Sequence, residues 1–415
     1  MEQIILAIAG IYFLSHVFSA LFARTRIPDV LLLTVMGLIA GPFTGNASRE
    51  DFGLVGEVLS VMALVVILFE GGMSIRLSRV SKVIGNSLVL TVLSFAITAL
   101  IAAHVSIYFL HFDLYTALLC GVILGGVSPA VIIPMAKSLK LGAESFAILS
   151  IECAFSDVLA VVLALGLMTA LRTGSVEPAS ITLSILLSLA IGAAIGIAGG
   201  ILWLVLLSVV RAFPHTTLTT IGFLLLLTSA TDLMGFSGAI SAFFFGLTLA
   251  NYHELIEPRI PRLRGLSLTT VNEGEHAVFN ELIFILKTFF FVYLGICISV
   301  DDPSILWFGL LTVTIVGALR LLVSRGSLPQ RIGLRELAVT SQMFPKGLAA
   351  AVLAGMPAEE GIVEGIGLRG FIYAVLLVSI VWSAAWVPLI EKTRVGQALR
   401  QAVRTGHRTK QMAAP

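Results

Sequence analysis

Apolar residues along this chain come in long runs separated by short polar connections. There is neither the two-residue alternation of a half-buried strand nor the narrow apolar stripe of a helix lying on a soluble core. Thirteen runs stand out, at residues 2–23, 28–42, 54–73, 84–110, 114–137, 143–171, 180–210, 216–232, 236–251, 277–299, 304–324, 336–356 and 368–390. About 20 apolar residues cross the hydrocarbon core of a bilayer as a helix, because lipid offers no partner for a backbone N–H or C=O. The second and ninth runs are short and are entered through Pro28 and Gly235. The first run lacks a basic start and a small-residue cleavage site and passes straight into another apolar span, so it reads as a helix and not as a signal peptide. The pattern predicts an all-α polytopic membrane protein of about thirteen transmembrane helices.

Composition narrows the functional classes. Hydrophobic residues make up 58% of the 415 and charged residues 12%, with a mean hydropathy of +1.03. A soluble domain carries roughly 25% charged residues, so a water-soluble enzyme and a disordered protein are excluded. The net charge of +2 supplies no broad basic face for phosphates, which excludes a nucleic-acid binder. Cys120, Cys153 and Cys297 all lie in apolar runs, too few and too scattered for a disulfide framework or a metal cluster.

The basic residues test the span count. With a cytoplasmic C-terminus, whose tail holds Lys392, Arg394, Arg400, Arg404, Arg408 and Lys410, thirteen spans put the N-terminus outside. Every second connection is then cytoplasmic, and these carry Arg24 and Arg26; Arg76, Arg79 and Lys82; Lys137 and Lys140; Arg211; Arg259, Arg262 and Arg264; and Arg325, Arg331 and Arg335. Twenty of the 26 basic residues fall on that side, against three outside (Arg49, Arg172 and Arg369). This is the bias of the positive-inside rule, and a miscounted helix would scramble it downstream. The other three, Lys287, Arg320 and Lys346, lie within apolar spans, as do the acids Glu70, Glu152 and Asp157, with Glu281 nearer a helix end. An ionisable group at that depth costs at least about 2.5–3.5 kcal/mol, so it faces a bundle interior or a water-filled cavity and marks a pathway.

The two halves of the chain echo each other. The third span reads VMALVVILFEGGMSI (61–75) and the tenth FILKTFFFVYLGICISV (284–300); setting Gly71 opposite Gly295 matches an apolar stretch, an aromatic, a glycine and a Ser-Ile or Ser-Val end. Six spans precede the seventh and six follow it, so corresponding helices run in opposite directions, which is an inverted repeat of the kind secondary transporters use. Such transporters place their sites where helices break near the midplane. The fifth span contains GGVSPAVIIP (Gly125 to Pro134), and two glycines and two prolines in ten residues cannot sustain an unbroken hydrogen-bond ladder. Its repeat mate, the twelfth, carries Pro345, Lys346 and Gly347 directly after Phe344. A cation such as Lys346 in a break offsets the negative ends of half-helices.

Directly after the first break the sixth span reads LSIECAFSDVLAVVLALGL, with Asp157 deep inside it. At about 100° per residue, the five-residue step from Glu152 turns the two carboxylates roughly 140° apart, too far to line one narrow cavity as a pair. One of them is expected to face an ion site while the other pairs elsewhere, Glu152 with Arg320. Burial favours a protonated carboxyl and a bound cation favours the carboxylate, so one buried Asp holds either a proton or a cation, and that competition suffices for exchange.

The fifth and sixth spans resemble the monovalent cation:proton antiporter superfamily, with an order of features closest to its thirteen-helix sodium/proton exchangers. In that family a Thr-Asp-Pro marks the break of the fifth helix and a Glu-x-x-x-Asn-Asp the sixth. Here the second motif reads Glu152, Cys153, Ala154, Phe155, Ser156, Asp157, which aligns Asp157 with the family's ion- and proton-carrying aspartate. It also aligns Glu152 with the glutamate that pairs with an arginine of the eleventh helix, here Arg320. The stretches Leu68 to Gly72 and Arg26 to Pro42 also resemble family segments, so the likeness covers nearly the whole chain. The departures are Ser128 ahead of Pro129 where the family carries its break aspartate, Ser156 in place of the asparagine, and Lys346 near a position where the family often has arginine. Two hydroxyls, Ser128 and Ser156, with the Asp157 carboxylate remain suitable ligands for a hard cation such as Na⁺ or K⁺. With one ion-carrying aspartate, one proton for one cation is expected, hence electroneutral exchange.

The resemblance implies core transport helices over 84–171 and 304–392. Scaffold and dimer-forming helices are expected over 1–83 and 172–303 (the linker helix 7 included), followed by a short basic cytoplasmic tail over 393–415 with no nucleotide-binding domain. It implies a homodimer in the cell (inner) membrane that alternates access to Na⁺ or K⁺ and H⁺ and needs no cofactor beyond the transported ions. Other classes fit less well. A sodium-coupled symporter of an organic anion needs more polar or basic groups than Lys346 and Arg320. A membrane hydrolase using Ser128 or Ser156 lacks a histidine base in either span. A channel needs a continuous pore, which crossing broken helices interrupt. Lys287 reads as snorkelling or pairing with Glu281, Glu70 as structural, and His16, His104 and His276 as interfacial.

Overall fold

The computed structural model describes residues 2–25, 27–75, 83–173, 178–210, 218–252, 273–298, 302–329, 331–359, 361–362 and 364–392. The order of helices is α1 (Glu2–Thr25), α2 (Asp29–Leu38, prolonged by a π-helical turn over Ile39–Phe43), α3 (Arg49–Ser74), α4 (Ile84–Leu110), α5a (Leu114–Gly125), α5b (Pro129–Ser138), α6 (Ala143–Thr173) and α7 (Pro178–Val210). They are followed by α8 (Thr219–Leu233), α9 (Gly238–Ala250), α10 (Glu273–Cys297), α11 (Pro303–Ser327), α12a (Leu334–Gln342), α12b (Leu348–Glu359) and α13 (Gly365–Lys392). With each broken pair counted as one span, thirteen helical spans are present among the described residues, in step with the apolar runs. Seven of the helical stretches are long and apolar enough to cross a membrane.

The helix ends follow from local chemistry. Asp113 accepts hydrogen bonds from the N–H groups of Tyr115 and Thr116 at the start of α5a, and Ser237 from Ile240 at the start of α9. Asp302 does the same for Ser304 ahead of α11; that bond and a second from the Ser304 hydroxyl hold the Asp302 carboxyl below the usual carboxylate range. Pro129 and Pro303 occupy first-turn positions, where the missing N–H costs nothing. Buried Ser and Thr hydroxyls inside the spans mostly donate back to the carbonyl four residues earlier, as Ser87, Thr91 and Thr98 of α4 do.

The chain divides into two compact units: Met1–Arg49 with Lys82–Ala160 and Phe291–Pro415, and Glu50–Ser81 with Val161–Phe290. In the first, α2 and α10 cross with Gly37 against Gly295: a Cβ on Gly37 would strike the carbonyl of Val292, and one on Gly295 the carbonyl of Thr34. In the second, α3 and α9 cross with Gly72 against Gly246, and the obstructing carbonyls are those of Phe243 and Phe69. In all four cases the obstructing carbonyl lies three residues before the partner glycine. One crossing is thus built twice, as an inverted repeat requires when α3 corresponds to α10 and α2 to α9. The equivalence runs Gly72 to Gly295, one residue away from the sequence alignment of Gly71 with Gly295. Gly71 and Gly72 are adjacent, so the string of letters does not choose between them. The close approach chooses Gly72, since a Cβ on Gly71 would meet nothing within 4 Å.

Candidate ion-binding site

All the residues of the candidate site belong to the first unit. α5a ends at Gly125, and Gly126 and Ser128 are extended (ψ 156° and 115°) before Pro129 restarts the helix as α5b. α12a ends at Gln342, residues 343–347 are non-helical, and α12b begins at Leu348. The two interruptions are joined directly: the Ser128 N–H donates to the Pro345 carbonyl at 2.8 Å. Gly347 lies so close beneath Ser128 that a Cβ there would collide with the serine side chain.

α6 passes alongside. The Ser156 hydroxyl accepts from the Val127 N–H at 3.0 Å and donates to the Cys153 carbonyl at 3.1 Å, which fastens α6 to the first break. Next along α6, Asp157 is 5% exposed, and its carboxylate faces the Gly126 backbone so closely that a Cβ on Gly126 would stand 2.9 Å from Oδ1. The Ser128 hydroxyl is buried and has no hydrogen-bond partner. A buried polar atom left unpaired is uncommon and calls for a ligand or a task. Lys346 is 2% exposed; its N–H donates to the Ser379 hydroxyl at 2.9 Å. Asp157 and Lys346 are electrostatic neighbours, yet they form no ion pair within 4.0 Å.

On another face of α6, Arg320 of α11 donates to both oxygens of Glu152, at 2.6 and 2.7 Å, with both side chains buried. The paired, planar geometry is what a guanidinium needs to be held away from water. A third Arg320 bond reaches the Met343 carbonyl at 3.4 Å, and the Phe344 ring lies 5.7 Å from the guanidinium and 5.9 Å from the Lys346 ammonium. One aromatic ring thus lies within reach of two buried cations.

The structure brings Asp157, Ser156, Ser128, Pro129, Pro345, Lys346 and Gly347 together around the joined breaks, with Glu152 and Arg320 alongside. Lys287, Glu70 and Glu281 belong to the second unit. The Lys287 ammonium stands 5.8 Å from the Phe284 ring centroid, and Glu70 and Glu281 are exposed. His16 contacts the Tyr12 carbonyl and His104 the Tyr108 ring, both exposed, while the side chain of His276 is outside the described residues.

The family described as "Sodium/hydrogen exchanger, transmembrane" matches residues 10–392. The chain belongs to the sodium/hydrogen exchanger family. It is 25% identical over 359 residues to the K(+)/H(+) antiporter NhaP2 of Shewanella oneidensis, a match covering 84% of this chain and 59% of that protein. It is 29% identical over 142 residues to Na(+)/H(+) antiporter 1 of Methanocaldococcus jannaschii, covering 34% of this chain and 33% of that one. The chain therefore spans less than two thirds of the length of the curated relatives it matches. The solved structure of the sodium proton antiporter MjNhaP1 from Methanocaldococcus jannaschii at pH 8 superposes with a TM-score of 0.73 at 22% identity, over 94% of this chain and 98% of that one, which is a likeness of fold.

Within this sodium/hydrogen exchanger fold, several residues that hold the site were not evident from sequence. Gly126 reads from sequence as part of the break, but its role of admitting the Asp157 carboxylate to the backbone shows only in the fold. Ser379 and Ser383 of α13 support the second break, Ser383 donating to the Gln342 carbonyl at 3.4 Å. The Gln342 side chain donates to the Gly317 carbonyl and accepts from the Trp382 indole at 3.0 Å. The signal for the two serines was present, as hydroxyls four residues apart in an otherwise apolar run. Phe344 carried no polar mark at all.

Proposed function

We propose that this chain exchanges a monovalent cation, Na⁺ or K⁺, for H⁺ by alternating access, with cation and proton competing for Asp157. The observation that carries this reading is the buried Asp157 carboxylate against Gly126 of the first of two hydrogen-bonded helix breaks, a break whose Ser128 hydroxyl is buried and has no protein partner. The carboxylate, the Ser128 hydroxyl and the remaining lone pair of Ser156 supply oxygen ligands for a hard cation. The same carboxylate holds a proton when the cation leaves. The relatives' names include both a potassium and a sodium exchanger, and either ion suits these oxygens.

Ser156 fills the position beside Asp157 where a second aspartate would add a negative charge, so one aspartate carries one cation in one direction and one proton in the other, and the cycle moves no net charge. The core helices over 84–171 and 304–392 shift against scaffold helices over 1–83 and 172–303, in a homodimer in the cell membrane with its N-terminus outside and its basic C-terminal tail in the cytoplasm. Cation-driven pH change in proteoliposomes tests the reading. Asp157→Asn abolishes exchange while the protein remains folded, and clamping the membrane voltage leaves the wild-type rate unchanged. Undiminished exchange by Asp157→Asn sinks the assignment of the carrier.

A further inference from the structure

We infer that the adjacent residues Arg335 and Glu336 are positioning residues: they fasten α12a to the turn between α5b and α6, and thereby set where Asp157 stands relative to the break at Lys346. The inference rests on the exchange reading for its functional consequence, and on geometry for the fastening itself.

The turn in question is tight. α5b closes with Lys140 in the left-handed region (φ 51°) and with the Leu141 N–H bonded to the Ala136 carbonyl, and α6 starts at Ala143. Two opposite helix ends therefore lie a few residues apart, the negative C-terminus of α5b and the positive N-terminus of α6. Arg335 donates to the Leu139 carbonyl at 3.1 Å, at the first of these. Glu336 accepts from the Gly142 N–H at 3.0 Å and from the Ser145 hydroxyl, at the second. Neighbouring residues of opposite charge thus each meet the helix end of complementary sign. Gly142 leaves room for this, since a Cβ on it would stand 3.2–3.3 Å from the Glu336 carboxylate oxygens. A third contact, Arg331 to Glu144 at 2.5–2.8 Å, lies further out in solvent, with Arg331 66% exposed. Exposed pairs of that kind contribute little. Lys137 and Lys140 are the other charged residues of the turn.

At the far end of α12a, the bond from Ser128 to Pro345 joins the breaks. α12a is only nine residues, about 14 Å, so it is braced to the α5b–α6 segment at both ends. α6 carries Asp157 and α12a leads into Lys346. A shift of about 1 Å in such a constellation is worth up to about 10²-fold in rate, which is why a contact outside the site governs it.

The test is a covalent replacement of the bond. In a Cys297→Ser background, where the remaining Cys120 and Cys153 are buried, Ser145→Cys is combined with Glu336→Cys, and cation-driven exchange is measured in proteoliposomes before and after a short bis-methanethiosulfonate bridges the two thiols, each thiolate forming a disulfide with release of methanesulfinate. With thiols free, turnover drops about tenfold or more and the apparent cation KM rises; bridging returns both towards the background values. If bridging instead abolishes the residual exchange, α12a must part from the turn during the cycle and the inference is overturned. It is equally overturned if Glu336→Gln and Arg335→Met, each shown to be folded by its unfolding temperature, exchange at the wild-type rate and KM. Normal exchange by Asp157→Asn in the same vesicles would instead remove the carrier assignment and leave the rescue by bridging standing.

Discussion

The Ser128 N–H and the Pro345 carbonyl lie 2.8 Å apart and bond to each other, so each helix interruption supplies a backbone group that the other lacks. A break leaves N–H and C=O groups without helical partners, and in a dry interior each unpaired group costs about 1–3 kcal/mol. Pairing across the two breaks removes one such cost from each. It also ties α5 to α12 at the level of Asp157, with Gly347 making the approach possible.

Gly347→Ala should therefore uncouple the breaks. The added methyl meets the Ser128 side chain, and overpacking of this sort costs about 1–3 kcal/mol. Exchange is expected to drop about tenfold or more, since that energy must be relieved by separating the breaks. Adding Ser128→Gly removes the obstacle and should restore part of the packing, seen as a partial recovery of unfolding temperature in the double variant. Equal unfolding temperatures for the single and double variants would show that the contact is not what the alanine disturbs.

If proton and cation compete for one carboxylate, pH acts on apparent affinity and not on maximal rate. Below the midpoint of the site, each pH unit of acidification should raise the apparent cation KM about tenfold, while saturating cation restores the full rate. Initial rates measured over several cation concentrations at each pH distinguish this from a separate pH gate, which would lower the maximal rate whatever the cation concentration.

How much of this was legible in the sequence differs between the backbone and its supports. The spans are readable because lipid forces long apolar runs, and the breaks at Gly125–Pro134 and Pro345–Gly347 because glycine and proline act on the backbone locally. Asp157 and Arg320 stand out for a similar reason, as charges where charge is expensive. Phe344 and Trp382 have no such mark: an aromatic in an apolar run looks the same whether it faces lipid or supports a site, and Gly126 reads as part of the break without showing that Asp157 lies against it. Arg335 reads as a topology-setting charge at a span entry and Glu336 as nothing in particular, and only the fold shows which helix ends they meet.

Glu152 and Arg320 should behave as one unit. Removing one partner leaves the other buried and charged, a loss of about 3–5 kcal/mol, whereas removing both leaves no uncompensated charge. Glu152→Gln and Arg320→Met are each expected to lower the unfolding temperature sharply, and the double variant to lose less than the sum. Strict additivity in that double-mutant cycle would mean that the two side chains contribute independently, in conflict with their bonds at 2.6 and 2.7 Å.

The repeated glycine crossing makes a prediction that separates neighbouring residues. Gly71 and Gly72 are consecutive in α3, and helix propensity alone favours alanine over glycine at both by up to about 1 kcal/mol. At Gly71 nothing lies within 4 Å of an added Cβ, so Gly71→Ala should be neutral or slightly stabilising. At Gly72 the Cβ would meet the Phe243 carbonyl, which is backbone and cannot swing aside, so α3 and α9 must separate. The same obstruction faces Gly295→Ala at the Thr34 carbonyl. Gly72→Ala and Gly295→Ala should thus both destabilise, by at least the roughly 1–3 kcal/mol of overpacking a core. Unfolding temperatures of the three variants in the same detergent check this. A Gly71→Ala variant as damaged as Gly72→Ala would place the repeat's register where the sequence alignment put it, and a harmless Gly295→Ala would break the correspondence between the two crossings.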